Sequence, residues 1–106
     1  MNPLVQPRFM PVARDIRVLG MRKGDLLAVV PLDRYRGEAI YVISVEGVPM
    51  PIRCAADDCG QIQLRSLAPR GGAATMTHAE FGEVLLGQVL AVCRVLDPSL
   101  LPEPTR

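Results

Sequence analysis

Tryptophan is absent from this 106-residue chain, and two tyrosines and two phenylalanines are its only aromatic residues. A reader of single-stranded nucleic acid usually carries several stacking platforms, so that class is poorly supplied. Lysine is scarcer still: Lys23 is the only one, and every other basic residue is arginine. One histidine, His78, leaves little for imidazole chemistry. The cysteines, Cys54, Cys59 and Cys93, are odd in number and lack CxxC spacing, which suits reduced thiols better than a disulfide framework. No run approaches the ~20 apolar residues of a membrane span, and no N-terminal stretch has signal-peptide character. The formal net charge is +1, with both signs interspersed. The chain is therefore expected to be cytoplasmic, without membrane association and without direct nucleic-acid binding.

What is present suits one small domain. Hydrophobic residues make up 49% of the chain and charged residues 22%, enough apolar content for a core and too little charge for disorder. Prolines 3, 7 and 11 predict an extended arm over residues 1–13. Pro98, Pro102 and Pro104 predict a polar tail over 97–106. The folded body is expected between them, over 14–96, with no internal repeat and no room for a separate helical DNA-binding domain.

Within that body the pattern is one of short strands. Asp25 to Val30 is an apolar run between Gly24 and Pro31, and Ala39 to Glu46 is rich in Ile, Val and Tyr. Glu46-Gly47 reads as a hairpin turn. From Val48 to Cys54, residues Val48, Met50, Ile52 and Cys54 alternate with Pro49, Pro51 and Arg53, the signature of a half-buried strand. Two prolines of one parity remove two ladder donors from the same side, so that edge should be open or bulged. Asp57 to Gly60 forms the next turn, and Gln61 to Ser66 alternates again with Ile62 and Leu64 inward. Pro69 to Thr77 is expected to be a loop, ending where Thr77 could cap a short helical turn through Glu80. The final element, Val84 to Leu96, has helical spacing at Phe81, Leu85, Val89 and Val92, but its valines and glycines favour a strand.

The segment from Arg14 to Val30 resembles the GDSMEPTLRDGDLVLV signature of the self-cleaving LexA, UmuD and phage-repressor C-terminal domains. Asp15 matches the first Asp, Arg22 the Arg, and Gly24, Asp25 and Leu26 the closing Gly-Asp-Leu. Ile40 to Gly47 resembles the family's IYVLRVDG, and Val48 to Cys54 stands in the place of its ELLVKRL. Gly60 to Ser66 stands in that of DGRLRLIS, and Leu86 to Val92 is similar to the closing VIGRVVWV. The resemblance spans about residues 12 to 96. It implies a mostly β, β-clip type fold of short, mainly antiparallel strands.

It also implies a lost activity. Ile16 stands where the family has its nucleophilic serine, and Ile52 where it has the lysine base. A serine hydroxyl needs a nearby base, and a lysine serves only when an apolar pocket disfavours its charged form. Isoleucine supplies neither, so no catalytic residue, cofactor or metal is expected, and the two isoleucines are expected to face each other as core. Ser44, Ser66 and Ser99 have no lysine or histidine near them in sequence. His78 with the three cysteines lacks the paired spacing of a zinc site, and Arg34 to Gly37 reads as an exposed loop.

In the family the closing strand pairs across a homodimer. The resemblance thus implies a twofold interface over Gly87, Gln88, Val89, Leu90, Ala91, Val92, Cys93 and Arg94, because Val89 to Val92 is apolar on both faces. The alternative for such a run is an internal strand buried on both sides. The expected function is a non-catalytic dimerisation and interaction module in phage or SOS-type regulation, with a repressor, polymerase or recombination protein as partner. The alternatives are a residual serine hydrolase with another dyad, or a small nucleic-acid-binding β domain.

Overall fold

The computed structural model describes residues 6–68, 71–97 and 99. Seven strands form one antiparallel sheet in the order β1-β2-β7-β3-β4-β5-β6. They are β1 (Arg8–Pro11), β2 (Leu26–Pro31), β3 (Ala39–Val45), β4 (Val48–Ala56), β5 (Ile62–Ser66), β6 (Ala73–Met76) and β7 (Leu85–Cys93). A single α-helix, α1 (His78–Val84), and a 3-10 turn over Arg17–Leu19 complete the described elements. The mostly β reading holds, and no helix among the described residues is long and apolar enough to cross a membrane.

Turn chemistry sets much of the register. Glu46 and Gly47 both take positive φ, 52° and 80°, as a two-residue hairpin loop requires. The loop makes Val45 and Val48 partners and places Pro49 opposite Ser44 and Pro51 opposite Val42. In that alternation the two proline nitrogens point away from β3. β4 accordingly pairs with β5 only from Ile52 onward, and its Val48 to Pro51 edge is open among the described residues. The next turn is held by the Asp57 carboxylate, whose Oδ1 accepts from Cys59 N at 2.9 Å and Gln61 N at 3.0 Å.

Two expectations change. Residues 8–11, within the expected extended arm, are part of the sheet: β1 pairs with β2 from Arg8 opposite Val29 to Pro11 opposite Leu26. Ala73–Met76, placed in a loop by its flanking glycines and small residues, forms edge strand β6 against β5. Its propensity is weak, and pairing to the neighbouring strand decides its conformation. Pro69, Arg70 and, in the 97–106 tail, Pro98 and residues 100–106 lie outside the described residues.

The sheet carries one core on each face. On one face Tyr41, Ile43, Cys54, Ile62 and Leu64 pack under α1 through Phe81 and Leu85. Tyr41 and Phe81 meet edge to face at 5.3 Å and 89°, a geometry worth about 0.5–1.5 kcal/mol beyond area burial. Helix α1 starts with a full capping box: Glu80 N donates to Thr77 Oγ1 at 3.1 Å, and Thr77 N to Glu80 Oε1 at 3.0 Å. On the other face Val12, Met21, Leu27, Val29 and Val42 pack beneath the segment joining β1 to β2.

β7 serves both cores and is bulged twice, the first bulge falling between its two core residues, Leu85 and Val89. Leu85 opposes Ile43 while Gly87 opposes Val42, and Val89 opposes Val29 while Ala91 opposes Ala28. Leu86 and Leu90 are thus the extra residues, and each bulge shifts the side-chain alternation by one. Leu85 can face the first core and Val89 the second. Gly87 is needed between them, since a Cβ there would lie 2.4 Å from the Val30 carbonyl oxygen.

Candidate functional site

The segment that resembles the family signature builds a braced turn. Ile16 and Met21 exchange backbone hydrogen bonds of 3.0 Å each, and Gly20 closes the 3-10 turn in the left-handed region at φ 66°. Asp15 Oδ1 accepts from Lys23 N at 2.9 Å. Asp25, buried at 5% exposure, accepts from Arg22 N at 2.9 Å and from Val95 N at 3.1 Å. These N–H donors, Arg22 first and then Val95, hold the Asp25 carboxyl below the ordinary aspartate range, against the opposing effect of burial. Asp25 therefore ties the start of β2 to the residues leaving β7. The matched acidic positions do structural work that needs no nucleophile.

Ile16 and Ile52 do not face each other. Ile16 packs in the cluster of Met21, Leu27 and Val29, whereas Ile52 packs with Tyr41 and Cys54 in the cluster under α1. Register explains the separation, because Ile52 pairs with Tyr41 and so takes the α1 face of the sheet. On the opposite face its neighbour Arg53 stands directly across from Arg65. Arg17, Val18, Arg53, Arg65, Ser66, Leu67 and Ala68 line an open cleft of about 630 Å³ there.

Among the described residues, no serine hydroxyl is hydrogen-bonded to a lysine or histidine. Ser44 is half-buried within β3. Ser66 Oγ accepts from Ala68 N at 3.1 Å, and Ser99 Oγ donates to Asp97 Oδ1 at 2.6 Å. The Lys23 side chain is exposed on its turn. His78 stands edge-on to the Tyr35 ring at 5.6 Å. Cys54 is fully buried, which pushes its thiol up to about 11, so it stays protonated at neutral pH. Cys59 is exposed and Cys93 half-buried, and among the described residues no group of three or more His, Cys, Asp and Glu is placed to hold a metal ion.

The Arg34 to Gly37 loop is folded inward by tyrosines. Tyr35 lies 5.8 Å from the Tyr41 ring and 6.1 Å from Phe81, and its hydroxyl accepts from Ala56 N at 2.9 Å. Tyr41, fully buried, donates to the Gly37 carbonyl at 2.7 Å and accepts from Arg36 N at 2.9 Å. The loop's one aromatic ring is thus engaged in the core and not presented for stacking.

β7 divides into two parts. Its first residues lie between β2 and β3, with Gly87 opposite both Pro31 and Val42 and Gln88 opposite both Val30 and Tyr41. Pairing to β3 ends at Gln88, while pairing to β2 continues to Cys93. Along Val89 to Cys93 the side away from β2 has no strand partner among the described residues. Leu90 is 64% exposed and Val92 41%. Of the eight candidate interface residues, Gly87 and Gln88 are therefore interior to one sheet, and the free edge begins after them.

No sequence motif marks Arg17, Arg53 and Arg65 as a group. A signal for the last two exists nonetheless: they are equidistant from Cys59, the centre of the β4–β5 turn, so a symmetric hairpin sets them opposite each other. No protein-family model matches this chain, and no curated protein matches it.

Proposed function

We propose that this chain is a non-catalytic, LexA/UmuD-like dimerisation and protein-interaction module of phage or SOS-type regulation, engaging a repressor, a polymerase or a recombination protein. The half-open edge of β7 carries this reading. Leu90 to Cys93 offers backbone groups on one side and exposed apolar side chains beside them, and a strand in that condition is a template for pairing with a twofold-related copy. Beside it, Phe9, Ala28 and Ala91 form one cross-strand row with Phe9 58% exposed, which would widen the apolar surface. The absence of serine and lysine at positions 16 and 52 supports assembly in place of hydrolysis.

Sedimentation velocity over a concentration series tests the reading. The native chain should show a monomer–dimer equilibrium, and Leu90→Arg and Val92→Arg should each shift it to monomer without loss of fold. A chain that stays monomeric at every concentration overturns it. Val89 is unsuited to the same test, because it packs against the core of Leu27 and Val29 and its replacement by arginine would disturb that packing as well as the edge. Affinity capture from the native host would then distinguish a repressor partner from a polymerase or recombination protein.

A further inference from the structure

Arg53 and Arg65 are directly paired across β4 and β5, and Arg17 joins them from the 3-10 turn at the wall of the same cleft. Like charges directly opposite each other on a sheet are destabilising. No carboxylate offsets them: among the described residues the one ion pair is Arg34 with Asp33, elsewhere in the chain, and no acidic residue lines the cleft. A local rule broken without internal compensation marks a site whose compensation comes from outside. Arginine's planar guanidinium suits bidentate pairing with an oxyanion.

We propose that this cleft binds an acidic segment of a partner protein, with Arg17, Arg53 and Arg65 pairing its carboxylates. The lining favours a peptide over a nucleic-acid backbone. It holds no aromatic ring on which a base could stack, and a chain of net charge +1 lacks the extended field that phosphate binding draws on. It does hold Val18, 59% exposed, and Leu67, which match apolar residues set among acidic ones. The Ser66 hydroxyl, already accepting from Ala68 N, keeps its hydrogen to donate to a carboxylate or carbonyl. The neighbouring β4 edge has prolines where N–H groups would point outward, so the segment is held by side chains and not by strand addition. The site is built by β4, β5 and the 3-10 turn, and its test is independent of assembly through β7.

Fluorescence anisotropy with a labelled Asp-Glu-Leu-Asp-Glu-Leu peptide provides the measurement. Binding to the full chain should weaken as salt rises. Arg17→Ala, Arg53→Ala and Arg65→Ala should each lower affinity about tenfold, the scale of one charged hydrogen bond, while Arg34→Ala leaves it unchanged. Arg65→Glu separates binding from folding: a carboxylate opposite Arg53 should raise the melting temperature while abolishing peptide binding. Affinity unchanged from the native chain in all three alanine variants overturns the proposal. So does tighter binding of a thymidine oligonucleotide than of the peptide, or a lower melting temperature in Arg65→Glu.

Discussion

The two halves of the sheet solve the same problem with different materials. The half from β3 to β6 is covered by a capped helix and an aromatic cluster, and its buried hydroxyl, on Tyr41, is satisfied by the loop it organises. The half formed by β1, β2 and β7 is covered by an irregular segment with only a 3-10 turn, pinned by the carboxylates of Asp15 and Asp25. The first cover is held by packing area, the second by hydrogen bonds to backbone that has no regular ladder. Their uncovered faces differ as well. Behind the helix-covered half stand arginines and prolines, whereas the turn-covered half leaves Phe9 and Leu90 exposed. The latter half is the one that the proposed dimer would complete.

Mutations can break this contrast, beginning with the largest effect. Phe81→Ala should cost about 3–5 kcal/mol, measured by urea denaturation, because it empties the centre of the α1 core. Met21→Ala, the counterpart on the other face, should cost about 2–5 kcal/mol. If it costs much less than Phe81→Ala, the turn segment collapses onto the vacancy as a flexible cover can. Gly87→Ala lies where the halves meet and should cost about 1–3 kcal/mol by forcing β7 off β2, with equal loss of signal from both cores. Thr77→Ala removes one side of the capping box and should cost about 1 kcal/mol.

Acid sharpens the comparison from the other side. Because the folded Asp25 carboxyl titrates below its unfolded value of about 4, its contribution is complete above that pH and fades as pH falls through the folded value. Asp25→Asn should therefore flatten the acid limb of the stability profile. Thiol labelling then reports each half separately. Cys59 should react in the native protein, Cys54 only on opening of the helix-covered half, and Cys93 on opening of the turn-covered half. Simultaneous reaction of Cys54 and Cys93 under every condition would show that the halves open as one unit.

Legibility followed the range of the interactions. The strands from β2 to β5 and their turns could be read from alternation and from Glu46-Gly47 and Asp57 to Gly60, because period and turn chemistry are local. The Thr77–Glu80 capping box could be read for the same reason. β1 and β6 could not, since short segments with prolines or alanines become strands only through a neighbour. The helical spacing at Phe81 and Leu85 overlapped a strand because one sequence run contains the last turns of α1 and the start of β7. In the candidate site, the isoleucines at positions 16 and 52 could be read from residue identity, but their separation onto opposite faces depends on register.

By itself, then, the sequence determined the strands from β2 to β5, the hairpin turns, the helix cap and the isoleucines at 16 and 52, all set by residue identity and spacing along the chain. Only the tertiary structure decided that the sheet has a core on each face, that a bulge at Leu86 puts Leu85 and Val89 on opposite faces, and that three scattered arginines share one cleft. Those features depend on which strands meet and in what phase, and a one-residue shift in pairing reverses every side chain's face.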